Sequence, residues 1–312
     1  MEFTSESELR RVYRADAPIE FDEEVILGQE LVQEHAPMGL DGARSLQADL
    51  VGDTHDSASD SRVLVECKLE FSLRGIGQLL LYNWLMDADA NREGGPRPRV
   101  DRRLVLGTAP PSVMPTVCTD VGLSVLMPTN TGWQDITQGI QRDLKWEQAA
   151  SEEITTALAA EQSATLDSSA EEETLQMVVD TDLPDVDPER LYHEIPVGDR
   201  MFSTITSRFQ ADAIAQVPNS ETFYVIEAKA QPDIRGLQKG IGQAVTYASL
   251  FRHDWGLRTD QVIPTIIISR APWLTQIYRN DRYEYTHEMV REAMTEPDGA
   301  VILYNQIEVY ED

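Results

Sequence analysis

The sequence predicts an α/β chain of two tandem domains, each a central mixed sheet flanked by helices. Three observations carry that prediction. One stretch occurs twice, as Gln47 to Tyr82 and again as Gln210 to Tyr247. Apolar patterns of helix and strand type alternate in the same order in both halves, which suits sheets covered by helices. At 312 residues, the chain is long enough for two domains that each bury a core.

In the first half, residues 1–20 are polar and weakly patterned, a tail or an edge strand. Asp22 to His35 places Val25, Leu27, Leu31 and Val32 among acids, which predicts an amphipathic helix. Gly39 to Gly42 reads as a turn. Ala48 to Val51 and Val63 to Lys68 read as paired strands joined by a long, mobile acidic loop over Gly52 to Ser61. Gly75 to Ala88 is helical in pattern. Arg103 to Gly107 and Leu123 to Met127 follow as strands, and Trp133 to Gln148 as a helix that could run on to Leu158. Glu161 to Pro188 is rich in Ser, Thr, Asp and Glu and reads as an acidic linker.

The second half repeats the order. Asp187 to Glu194 predicts a short helix, with Asp187 as cap and Pro188 in its first turn. Ala211 to Ala215 and Phe223 to Lys229 read as strands with a short connection. Gly240 to Phe251 reads as a helix, and Val262 to Ser269 and Ala300 to Tyr304 as strands. The domain boundaries that follow are 1–147, an acidic linker over 148–188, and 189–312.

Composition sets the setting. Acidic residues number 54 against 26 basic ones, for a net charge of −28. Only four basic residues are lysines: Lys68, Lys145, Lys229 and Lys239. Such a surface fits a protein that works in concentrated salt, where self-repulsion is screened. The competing reading is avoidance of nucleic acid or binding of a basic partner. Cys67 and Cys118 make no disulfide framework and point to a reducing compartment, with both thiols buried. No apolar run approaches a membrane span, and Met1 to Glu6 lacks the features of a signal peptide. The expected location is cytoplasmic, with no membrane partner.

The repeat carries the chemistry. Each copy opens with Gln-Ala-Asp, ending at Asp49 and Asp212. Each continues into an apolar strand closing on Glu-x-Lys, as Glu66-Cys67-Lys68 and Glu227-Ala228-Lys229. Each ends in Gly-Ile-Gly-Gln with Tyr four residues on, as Gln78 with Tyr82 and Gln243 with Tyr247. Along a strand alternate side chains share a face, so Glu66 and Lys68 point together while Cys67 turns into the packing. An Asp on the neighbouring strand would complete two carboxylates and one ammonium. Two carboxylates plus waters suit Mg²⁺, with Mn²⁺ as a substitute. The ion polarises a phosphate oxygen, and the lysine orients water or stabilises developing charge. The set suits phosphodiester hydrolysis.

A lone Glu-x-Lys is usually a solvated surface pair. Here half of the four lysines fall in that motif, in a chain that otherwise chooses arginine. Those positions therefore select a compact primary amine over a planar guanidinium.

Asp49…Glu66-Cys67-Lys68…Gln78-x-x-x-Tyr82 and Asp212…Glu227-Ala228-Lys229…Gln243-x-x-x-Tyr247 resemble the PD-(D/E)xK nuclease superfamily, in its RecB-like branch. The resemblance covers most of each half, although Ala48 and Ala211 stand where that family's Pro precedes the Asp. It implies two restriction-endonuclease-like domains. It also implies metal ligands Asp49, Glu66, Asp212 and Glu227, and catalytic Lys68 and Lys229. Gln78, Tyr82, Gln243 and Tyr247 would then line each site toward DNA. Many members add an acid from the first helix. Glu30 or Glu34, and Glu189 or Glu194, are the candidates, and spacing does not choose among them; His193 reads as a surface residue.

Implied with it is a Mg²⁺-dependent DNA nuclease of repair, recombination or mobile-element processing. Its halves would pair as an internal pseudo-dimer, alone or in a further oligomer, with both sites competent. The rival readings are a nucleic-acid-binding scaffold with one or both sites inactive, and an acidic interaction protein. Lys68 to Gln78 spans ten positions and Lys229 to Gln243 fourteen, which predicts a larger loop before the second helix. Candidate DNA contacts are Arg92, Arg97, Arg99, Arg102 and Arg103, then Arg235 with Lys239. A third set is Arg279 and Arg282 among Tyr278, Tyr283 and Tyr285, where aromatics could stack on bases.

Overall fold

The computed structural model describes residues 3–27, 46–56, 59–92, 99–140, 148–165, 190–200, 209–230, 234–269 and 302–305. The chain divides into two compact units, Met1–Arg142 and Asp143–Asp312. Each is α/β, with a mixed sheet flanked by helices.

The first unit runs α1 (Glu6–Asp16), β1 (Phe21–Ile26), β2 (Gln47–Asp56), β3 (Ser59–Lys68), α2 (Leu73–Arg92) and β4 (Arg99–Leu106). It continues through α3 (Met114–Asp120), β5 (Leu123–Thr129) and β6 (Gly132–Asp135). The second runs α4 (Ser151–Thr165), β7 (Leu191–Val197), β8 (Phe209–Gln216), β9 (Phe223–Ala230), α5 (Ile234–Trp255), β10 (Val262–Ser269) and β11 (Ile302–Asn305). The sheet orders are β1-β2-β3-β4-β5-β6 and β7-β8-β9-β10-β11. Over the first five strands of each sheet, directions match strand for strand. The first three strands of each sheet are mutually antiparallel, and the next two continue parallel.

Several elements differ from the sequence expectation. Residues 6–16 form a helix rather than a tail or strand. Ser5 caps it by accepting the Glu8 N–H at 3.1 Å, while Glu8 accepts from Thr4. Leu9 and Tyr13, one turn apart, are its buried stripe against Leu50, Val65, Cys67 and Val105.

Phe21–Ile26 is an edge strand, not the start of a helix; its run of acids keeps an exposed edge from pairing with another chain. Pairing with β2 overrides the helix preference of glutamate there. Leu191–Val197 is likewise an edge strand where a helix was expected, and Pro196 is tolerated because the strand is at an edge. The expected long loop over 52–61 is mostly strand, since pairing runs out to Asp56 and Ser59. Trp133 lies in β6, turned back by a left-handed Gly132, and its ring meets Tyr13 edge-on at 5.0 Å. A helix at Ser151–Thr165, packed against β7, occupies part of the expected linker. The rest of that linker lies outside the described residues, as do the 39–42 turn and the Arg279–Arg282 segment.

α2 packs on β3 and β4, and α5 on β9 and β10. The Lys68 to Leu73 and Lys229 to Ile234 connections are both five positions long. The extra residues of the second half therefore lengthen the helix N-terminus, by about one turn. They do not enlarge the loop as expected.

Candidate metal centres on the two sheets

Asp49 belongs to β2 and Glu66 to β3. The last ladder pair between these strands is Leu50 with Val65, and the next step sets Asp49 opposite Glu66. On the other side of β2, Glu23 faces Leu50 and Val25 faces Ala48, which sets Glu24 opposite Asp49. The second sheet repeats the row: Glu194, Asp212 and Glu227 on β7, β8 and β9, by the pairs flanking each.

The carboxylates end the ladder in place of backbone. Asp49 Oδ2 accepts the Cys67 N–H at 2.7 Å, and Asp212 Oδ2 accepts the Ala228 N–H at 2.7 Å. That bond satisfies an N–H that the splayed strands leave without a carbonyl. Glu66 and Glu227 are almost wholly buried, at 2% and 1% exposure. Oε1 of Glu66 accepts Lys68 Nζ at 2.6 Å, and Oε1 of Glu227 is bonded by Lys229 Nζ. Oε2 of each is buried with no donor among the described residues.

Burial, reinforced by the neighbouring Asp49 or Asp212 carboxylate, pushes both Glu side chains up to about 7, with the lysine opposing. Burial likewise raises Asp212, against the Ala228 N–H and Lys229. For Lys68 burial alone would lower its ordinary value, but Glu66, Glu6 and Asp49 outweigh it and hold the ammonium charged.

The Gln and Tyr of the helices meet each other. Gln78 Nε2 donates to the Tyr82 hydroxyl at 3.1 Å, and Gln243 Nε2 to that of Tyr247 at 3.2 Å. Each leaves its amide oxygen buried without a donor. Tyr82 is wholly buried, so it faces packing rather than an open DNA surface as expected. Tyr247 is raised by burial, and also by the Glu227 and Asp212 carboxylates, which puts the second pair beside its site. The repeated glycine explains how close the helix comes. A Cβ on Gly240 would stand 3.2 Å from Lys229 Cγ, and one on Gly75 would stand 3.2 Å from Leu104 Cδ1 and 3.6 Å from Lys68 Cγ.

Among the described residues, no group of three or more His, Cys, Asp or Glu is gathered closely enough to hold a metal. Two carboxylates per site with an orphaned buried oxygen nevertheless fit Mg²⁺, which keeps most of its waters.

Other candidates fall differently. Glu30, Glu34 and Glu189 lie outside the described residues. Glu194 sits in an edge strand rather than a helix, bonded to Gln210. Among the described residues, a helix acid that approaches the first site is Glu6, 3.7 Å from Lys68 Nζ. Glu24 and Glu194 both have left-handed backbones, φ 54° and 48°. Gln47 and Gln210 each donate to the carbonyl of that glutamate at 2.9 Å, which gives the Gln of Gln-Ala-Asp its purpose. Glu-Val-Ile and Glu-Ile-Pro ahead of each Asp were the available sequence signal.

Arg102 is buried and Arg103 is held by Asp101 and Tyr13, so neither offers a free phosphate contact. His193 is buried rather than on the surface. Burial holds both thiols above their ordinary value, Cys118 at about 12. Arg235 and Lys239 are exposed, and the Lys239 charge reaches Glu227. No helix among the described residues is long and apolar enough to cross a membrane. Comparison of the chain with protein-family models, with curated proteins and with solved structures finds no match, so the residues and their geometry carry the functional reading.

Proposed function

We propose that the chain is a Mg²⁺-dependent deoxyribonuclease with two restriction-endonuclease-like domains of the RecB-like PD-(D/E)xK kind. One observation carries the reading. The same Asp–Glu–Lys set is built twice on sheets of the same order and direction, each with a buried Glu oxygen that lacks a donor. The element order also supports it: a helix, three antiparallel strands, a helix and a parallel strand, with the Asp on the second strand and Glu-x-Lys on the third.

Asp49 with Glu66, and Asp212 with Glu227, would hold Mg²⁺ or Mn²⁺. The bound ion supplies Lewis acidity toward a phosphodiester oxygen and acidifies water. Lys68 would donate a hydrogen bond to the attacking water or to the phosphoryl oxygens as charge grows there. Gln78 and Gln243 are fixed by their tyrosines with one amide oxygen left to accept from a ligand. Arg235 and Lys239 supply local positive charge at the second site for a phosphate backbone.

The test is incubation with single-stranded, duplex and branched DNA in high KCl, with Mg²⁺ or with EDTA. Cleavage that needs Mg²⁺ and disappears in the Lys68→Ala/Lys229→Ala double variant is expected. Absence of Mg²⁺-dependent cutting on every substrate would overturn the reading in favour of a binding scaffold.

A further inference from the structure

The two Asp carboxylates are alike at one oxygen and unlike at the other. Oδ2 accepts a backbone N–H in both sites. In the first site Oδ1 of Asp49 also takes Arg10 Nη1 at 3.1 Å, and Arg10 Nη2 binds Glu24 Oε1 at 2.9 Å. The Arg10 side chain is only 15% exposed. In the second site Oδ1 of Asp212 carries no donor among the described residues. Helix α1 thus reaches two members of the first site, Asp49 through Arg10 and Lys68 through Glu6. Helix α4 packs against β7, and none of its described residues bonds Asp212 or Lys229.

We propose that Arg10 is a resident counter-ion of the first site, occupying Asp49 and biasing divalent-ion binding toward the Asp212–Glu227 site. The inference rests on the metal assignment made above for the nuclease reading. Oδ2 of Asp49 already accepts the Cys67 N–H and Oδ1 the Arg10 guanidinium, so a cation at Asp49 meets a resident positive charge on the oxygen that Asp212 leaves open. To take that oxygen fully it has to weaken a charge-assisted bond of Arg10, a side chain only 15% exposed, and it is repelled by the guanidinium while that bond stands. At Asp212 no described residue has to leave. A planar guanidinium also suits a bridge between two carboxylates on adjacent strands, which a lysine would serve less well. Two sites with the same ligands would then differ in occupancy, and the ion would reach the first only when α1 yields.

The test reads metal rather than cleavage. Binding of Mn²⁺ to the full chain is followed by electron paramagnetic resonance of the free ion at fixed KCl. Two classes of site are expected in the unaltered protein. The Asp212→Asn protein, left with the first site, should bind about 10- to 100-fold more weakly than the Asp49→Asn protein, left with the second. Adding Arg10→Gln to Asp212→Asn should recover most of that difference, with circular dichroism confirming the fold. Equal affinity of the two Asp→Asn proteins overturns the proposal without relying on Arg10→Gln. So does a folded double variant that binds no more tightly than Asp212→Asn. No Mn²⁺ bound by any protein overturns both this and the metal assignment. The expected binding pattern with no DNA cleavage sinks the nuclease reading and leaves the role of Arg10 standing.

Discussion

Glu66 and Glu227 each give one carboxylate oxygen to a lysine and leave the other facing no donor in the interior. Such a group favours its neutral form, and burial with the adjacent Asp raises both to about 7 from an ordinary 4.5. The sign follows from linkage. The folded state holds the proton more tightly than the unfolded chain, so the stabilising contribution is complete below about 4.5. It is lost as pH rises through about 7. In EDTA, the unfolding free energy should fall across that window, by at most roughly 1.4 kcal/mol per pH unit for each glutamate. The general repulsion of a net −28 chain acts in the same direction, so the decisive comparison is the Glu66→Gln/Glu227→Gln protein. Its stability curve over pH 4.5–7 should be flatter than that of the unaltered protein; an equal slope refutes the assignment. Metal affinity should run the other way, climbing to about pH 7 and levelling above it, because the ion needs the ionised form. Calorimetry at pH 6 in two buffers of different ionisation heat would register the released protons.

At the scale of elements, the glycine three residues ahead of each Gln governs how tightly the helix rides over the lysine stem. Replacing Gly240 with Ala raises helix propensity by about 1 kcal/mol and places a methyl 3.2 Å from Lys229 Cγ. The melting temperature should hold or rise, while Mg²⁺-dependent cutting at the second site falls by about tenfold from a displaced ammonium. Gly75→Ala presses first on Leu104 and should disturb Lys68 less. If Gly240→Ala keeps the full rate, the close approach has no bearing on the lysine.

The strands bearing these residues were legible because Ala48–Val51, Val63–Lys68 and Phe223–Lys229 are apolar runs bounded by turn residues. The helices after them were legible by period. The edge strands were not: Phe21–Ile26 is half acids and Leu191–Val197 ends in Pro-Val, so neither alternates cleanly, and pairing with a neighbour decides them. α1 was missed although Ser5 and Glu8 carry the spacing of a capping box. With it went Glu6 and Arg10, which reach the first site only through tertiary packing. The row opposite each Asp was invisible for the same reason, since register between strands is not written in one strand alone.

For the whole molecule, a net charge of −28 on 312 residues must be reconciled with the anionic partner proposed for it. At about 0.1 M salt the screening length is about 10 Å, comparable to spacings between surface carboxylates, so the folded chain repels itself and DNA alike. At about 1 M it shrinks to about 3 Å, and only contacts at close range retain their electrostatic sign. Three of the four lysines in the chain stand at the proposed sites: Lys68 and Lys229 in them and Lys239 beside the second. Buried pairs such as Lys68 with Glu66 are screened much less than the surface, so salt removes the repulsion and spares the site. The melting temperature should therefore rise as KCl goes from about 0.1 to about 2 M, with most of the gain in the first molar, where the screening length changes most. Scanning calorimetry at fixed pH gives the curve, and a parallel series in sucrose separates screening from surface exclusion, because sucrose carries no charge. A melting temperature that is flat or falling with KCl would refute the reading of the acidic surface as one suited to concentrated salt.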